Sequence, residues 1–228
     1  MAAERTRFAA VPGGALAELP EAVSFLQAAT LPVAGLTALF ALRKAGSLLG
    51  QRVLVTGASG GVGDFAVQLA RISGAGAVVG ITNHAEYVAM VREAGASEVV
   101  VGDAAAAKAF GPYALICDGV GGDVLSAVTA MLAPGGVCVT YAATLQPEIK
   151  VDLRALVQTP PASLTALLVL GMLREEPAGR GLKVLALLLA SGQLQPHIDV
   201  VAPWEEVAEV SQRLIDRKFA GKAVLQVG

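Results

Sequence analysis

One octapeptide constrains this chain more than any other feature: Thr56-Gly-Ala-Ser-Gly-Gly-Val-Gly63. Before it stands Arg52-Val-Leu-Val-Thr56, a β-branched run of strand length. After it, Val62–Ser73 carries apolar residues at Phe65, Ala66, Leu69, Ala70 and Ile72, the spacing of one helix face. Glycines between a strand and a helix have a physical use. Ala58 is small enough for a tight exit from the strand, Gly60 lets a pyrophosphate approach the backbone, and Gly63 lets the helix pack close to the strand. The open amides at the helix start then face the anion, with the helix dipole behind them.

The rest of the chain repeats the alternation. Ala77–Thr82, Glu98–Val101, Ala114–Cys117 and Val137–Tyr141 read as further strands, and Ile198–Val201 as a sixth. Helical patterns fall at Glu86–Ala94, Asp123–Leu132 and Trp204–Asp216, the second closed by Pro134-Gly135-Gly136. Another apolar helix, Gly35–Ala45, precedes the first strand. Continuous apolar strands joined by helices mean a parallel sheet covered on both faces. A hydrophobic fraction of 54% against 16% charged suits so much covered sheet. The expectation is an α/β fold, a doubly wound parallel sheet of order 3-2-1-4-5-6. The stretch Pro147–Pro161 reads as irregular, and residues 222–228 as a final strand without a place in that sheet.

Several classes are excluded. With 17 Lys and Arg against 19 Asp and Glu, the chain lacks the basic footprint of a nucleic-acid binder. Its two cysteines, Cys117 and Cys138, each sit in an apolar run, which leaves no disulfide framework and no cysteine-rich metal site. The longest apolar stretches, Leu31–Leu42 and Leu164–Leu173, fall short of the roughly 20 residues that span a bilayer. Met1–Ala10 has charges but no apolar segment of signal type. A cytoplasmic protein with a small-molecule substrate, and neither membrane nor nucleic acid as partner, is expected.

The end of the second strand bears on the cofactor. In a dinucleotide fold an acid about 20 residues beyond the glycines grips the ribose 2′-hydroxyl of NAD. That position is Asn83, and Thr82-Asn83-His84 holds no acid. A 2′-phosphate is tolerated there, so NADP(H) is favoured over NAD(H), with Thr82, Asn83 and His84 as its contacts. The octapeptide also fits the short-chain dehydrogenases, which need a Tyr followed four residues later by Lys. The tyrosines here are followed at that spacing by Val91, Cys117 and Leu145, which rejects that reading. A methyltransferase would want an acid after the second strand, and none is there.

The blocks Ala29-Thr-Leu-Pro-Val-Ala-Gly-Leu-Thr-Ala38 and Gly50-Gln-Arg-Val-Leu-Val-Thr-Gly-Ala-Ser-Gly-Gly-Val-Gly63 resemble the medium-chain dehydrogenase/reductases. The branch they resemble is the zinc-free quinone oxidoreductase and enoyl reductase type. Ala94-Gly-Ala-Ser-Glu98, Leu132-Ala-Pro-Gly-Gly136 and Gly221-Lys-Ala-Val-Leu225 fit it too. The resemblance implies a remnant of a GroES-like catalytic domain at residues 1–34, a Rossmann domain at 35–221, and a C-terminal strand of the catalytic-domain type at 222–228. Most of the N-terminal catalytic domain has no counterpart here. It implies Thr37 near the nicotinamide, and Ser59, Gly60, Gly61 and Val62 along the pyrophosphate. Asp118, Gly119 and Val120 would follow the fourth strand on the cofactor side, with Ala142 and Ala143 at the carboxamide and Arg217 toward the 2′-phosphate. Where zinc-dependent relatives place a Cys ligand this chain has Val33, so no metal is expected. The implied activity is hydride transfer from NADPH to a quinone, enone or related activated double bond. The alternative is a non-catalytic NADP(H)-binding module that needs a partner. No proton donor is assigned, although Tyr141 lies near the implied nicotinamide site. A homo-oligomer is expected, because the last strand and the apolar helix Gly35–Ala45 lack the surface that would cover them.

Overall fold

The computed structural model describes residues 10–142, 148–158 and 161–227. Six strands form the main sheet: β1 Arg52–Thr56, β2 Ala77–Thr82, β3 Glu98–Val101, β4 Tyr113–Asp118, β5 Leu132–Thr140 and β6 Ser163–Ala166. Their order is β3-β2-β1-β4-β5-β6 and every pairing is parallel. This is the doubly wound order expected. The helices are α1 Phe25–Ala29, α2 Leu36–Arg43, α3 Gly61–Ile72, α4 Val88–Glu93, α5 Gly122–Thr129, α6 Leu153–Gln158, α7 Val169–Met172, α8 Ala178–Ala190 and α9 Val207–Ile215.

Core side chains lie on both faces of the sheet, as the apolar strands require. On one face Val53, Val55, Leu115 and Cys117 meet Phe40 of α2, Phe65 of α3 and Leu185 of α8. On the other, Leu54, Ile116 and Cys138 meet Tyr113, Leu125 and Val128. Tyr113 is wholly buried and its hydroxyl donates to the Ala107 carbonyl at 2.6 Å. Burying that much apolar area supplies most of the driving force for such a fold.

The structure corrects the sixth strand. Ser163–Ala166 holds that place beside β5, while Ile198–Pro203 is a separate strand, β7. β7 pairs in parallel with β8, Lys222–Gln226, in a two-stranded sheet with its own small core of Val200, Ala202, Val210 and Phe219. The signals were in β7 itself. It alternates exposed and buried residues, and it ends in Pro203. Alternation marks a strand with one solvated face, and proline belongs at strand ends and edges. The final strand does lie outside the main sheet, as expected. The helix expected over Asp123–Leu132 ends at Thr129, and Pro134-Gly135-Gly136 lies inside β5, at a register shift against β4. The helix α8, which the sequence reading omitted, covers one face of the sheet beside α2. No helix among the described residues is long and apolar enough to cross a membrane.

Candidate dinucleotide site

The glycine-rich turn leaves β1 at Thr56 and enters α3 at Gly61. Gly57 has φ +63, a conformation that favours glycine. The Ala58 amide donates to the Ile81 carbonyl at 2.9 Å, which ties the turn to β2. Ser59 and Thr82 hydroxyls lie 3.0 Å apart and make a second tie. At Gly63 an added Cβ would run into the Gly57 carbonyl and stand 2.8 Å from Ala58 Cα. This is the close helix–strand packing that the sequence implied for Gly63. No side chain caps α3, so amides of its first turn have no acceptor within the helix.

The strand ends beside the turn are held by Asp118, which is wholly buried. Its Oδ1 accepts from Thr56 Oγ1 at 2.6 Å and its Oδ2 from Thr140 Oγ1 at 2.8 Å. The amides of Val120 and Gly121 donate to the same carboxylate at 3.1–3.3 Å. Thr56 Oγ1 in turn accepts from the Gly119 amide at 3.1 Å. One carboxylate therefore aligns the ends of β1, β4 and β5. It fixes the loop that carries Gly119 and Val120.

Between the turn and the C-terminal segment lies a cleft of about 260 Å³. Ser59, Gly60, Gly61, Asn83, His84, Gly119 and Val120 line it, all named from the sequence. Arg217 lines it too, in the left-handed conformation at φ 55 just past the end of α9. No carboxylate is among the described residues lining the cleft, and Arg217 is its one formal cation. Other candidates stand elsewhere. Thr82 is buried behind Ser59, and Val62 is half-buried against the core. Thr37 is buried in α2, its hydroxyl donating to the Val33 carbonyl at 2.7 Å. Asp118 is turned into the strand ends as described. Ala142 lies past β5, its amide 3.4 Å from Thr140 Oγ1, and Ala143 lies outside the described residues.

Sequence reasoning missed Tyr87 and the wall formed by Leu214, Phe219, Ala220 and Gly221. Tyr87 meets His84 edge to face, ring centroids 5.7 Å apart. Its place one helical turn after His84 was a readable signal. The wall was not readable, because no short-range pattern shows the chain returning to the turn. There the Gly221 amide donates to the Ser59 carbonyl at 2.8 Å. Tyr141 has its ring against Gly119 and its hydroxyl buried without a hydrogen-bond partner among the described residues. Burial holds that phenol well above its ordinary pKa, so it stays protonated at neutral pH.

Sheet order and strand–turn–helix geometry together define a protein of the doubly wound α/β class. Residues 61–177 match the family model described as zinc-binding dehydrogenase. The chain belongs to the medium-chain dehydrogenase/reductase family. It is 32% identical to the human synaptic vesicle membrane protein VAT-1 homolog, over 92% of this chain and 59% of that protein. It is 31% identical to a probable zinc-binding oxidoreductase, mitochondrial, of Arthroderma benhamiae, over 93% of this chain and 65% of that protein. The chain thus spans less than two thirds of the length of these relatives. The solved quinone oxidoreductase from Coxiella burnetii superposes with a TM-score of 0.75 at 27% identity, covering 92% of this chain and 63% of that one. Relatives named as mitochondrial or chloroplast proteins lend no support to a cytoplasmic location.

The family name raises zinc, and the donors do not fit it. Among the described residues no three of His, Cys, Asp and Glu come together as a ligand set. Both thiols are buried in strands, and burial pushes Cys138 up to about 12 and Cys117 higher. A cysteine that ligates zinc does so as the thiolate, which burial disfavours at both positions. Val33, at the position read as replacing a ligand, is an exposed apolar side chain.

Proposed function

We propose that the cleft at the glycine-rich turn binds NADP(H) in preference to NAD(H), and that the protein is an oxidoreductase acting on a quinone, enone or related activated double bond. The observation that carries the cofactor reading is a cleft built on an uncapped helix N-terminus, lined by Arg217 and, among the described residues, by no carboxylate. Such a lining attracts a polyphosphate and gives no acid to a ribose 2′-hydroxyl. The substrate class is supported by relatives and neighbours named as quinone oxidoreductases.

A bound nicotinamide supplies the hydride. The chain's own part is binding and orientation. First-turn amides of α3 face the pyrophosphate, and Ser59, held by Thr82, keeps the turn against β2. Asn83, His84 and Arg217 bear on the 2′-phosphate. Val120, held by Asp118, and Gly119, held by Thr56, would border the bound cofactor on the β4 side of the cleft. We also assign residues 1–34 and 222–228 to a catalytic-domain remnant and propose a homo-oligomer. A groove between α1 and β8, lined by Phe25 and Val227 at 86% and 75% exposure, leaves apolar surface that association would cover.

Turnover is the test. NADPH oxidation by the purified chain with a panel of quinones and enones is expected to depend on the acceptor. NADPH binding without oxidation by any acceptor would favour the alternative, a non-catalytic NADP(H)-binding module.

A further inference from the structure

Lys222 and Asp64 form a salt bridge with both side chains buried, 7% and 3% exposed. The other ion pairs among the described residues are far more open. The ammonium lies 3.1 Å from Asp64 Oδ2 and 3.9 Å from the centroid of the Phe65 ring. Asp64 sits in the first turn of α3, the helix whose N-terminus faces the cleft. A carboxylate there is favoured by the helix dipole, but it opposes any anion using the same terminus. Neither charge is screened by solvent at such burial.

The cation is delivered by the wall of the cleft itself. Lys222 follows Gly221, which bridges to Gly60 and bonds the Ser59 carbonyl. Lys222 Cγ stands 3.4 Å from where a Cβ on Gly61 would be. The other groups on Asp64 are neutral: Gln68 Nε2 donates to Oδ1 at 3.0 Å and the His197 amide to Oδ2 at 3.2 Å. Lys222 is therefore the only charged partner that the structure gives Asp64 among the described residues.

We propose that Lys222 is a positioning residue for the dinucleotide: by neutralising Asp64 it keeps the N-terminus of α3 attractive to the pyrophosphate, and it couples the docking of the β7–β8 sheet to cofactor affinity. Lys222 does not line the cleft and acts through Asp64. The inference rests on the NADP(H) reading of that cleft. Burial draws the Lys222 pKa below the ordinary lysine value, and the Asp64 carboxylate opposes that shift.

Calorimetric titration with NADPH at low ionic strength tests it on the 228-residue chain and two variants of it, with thermal midpoints measured alongside. Lys222→Gln removes the charge and leaves a neutral polar side chain in its place; affinity is expected to fall about tenfold. Asp64→Asn with Lys222→Met removes both charges, and affinity is expected to return to within about threefold of the wild type, even with a lower midpoint. A pair that served only as a clamp would show the reverse: Gln would bind as the wild type, and the neutral pair would bind worst. Either of those results overturns the proposal. A wild-type protein that binds neither NADPH nor NADH overturns the cofactor reading beneath it, which is a different result from wild-type binding that Lys222→Gln leaves unchanged.

Discussion

Gly63→Ala is expected to remove NADPH binding and to lower stability by about 3 kcal/mol, or about 8 °C in thermal midpoint. The added methyl would collide with backbone, the Gly57 carbonyl and Ala58 Cα, and backbone cannot rotate away as a side chain tip can. Relief requires α3 to move off β1, which displaces the amides that face the cleft. Gly171→Ala is the control. A Cβ there meets nothing within 4 Å, and the change is expected to stay within about 1 kcal/mol of neutral. Thermal melts and a binding titration on the two variants separate a packing effect at the turn from a general intolerance of glycine replacement.

Asp118→Ala should cost about 4 kcal/mol, measured by urea unfolding. The loss leaves the Thr56 hydroxyl and Gly121 amide, both buried, and the Thr140 hydroxyl and Val120 amide, both half-buried, without their acceptor. Asp118→Asn keeps one acceptor oxygen and the shape, and should cost about half as much. Cofactor affinity should fall in both, because the loop of Gly119 and Val120 loses its anchor. A cost under about 1 kcal/mol for the alanine variant would show that the hydroxyls and amides find other partners.

Asp118 also shows where sequence reading stops. The family resemblance placed it, after the fourth strand, with the cofactor contacts. Its two oxygens are instead taken by Thr56 and Thr140, residues 62 and 22 positions away. Only the sheet register brings those together. The main sheet was legible, because β1 to β4 and the second half of β5 are apolar runs set off by glycine, proline and polar turns. β6 and β7 were confused for a physical reason. β6 is four residues long with two hydroxyl side chains, so only its pairing with β5 marks it, while β7 carries the alternation of a strand with one solvated face. The turn was legible from types and spacing alone, since glycine is needed where backbone meets backbone. Of the opposite wall of the cleft, only Arg217 was named, through the family resemblance; Leu214, Phe219, Ala220 and Gly221 were not legible, because they arrive from about 150 residues downstream, a distance at which local periodicity carries no information.

The central claim is that this cleft takes a dinucleotide and prefers the 2′-phosphorylated one. Calorimetric titration of the purified chain with NADPH and with NADH tests it most directly. The account predicts one site per chain, with NADPH bound at least about tenfold more tightly, the gain of a charge-assisted contact at the 2′-phosphate. Equal affinities, a preference for NADH, or no binding of either would contradict it.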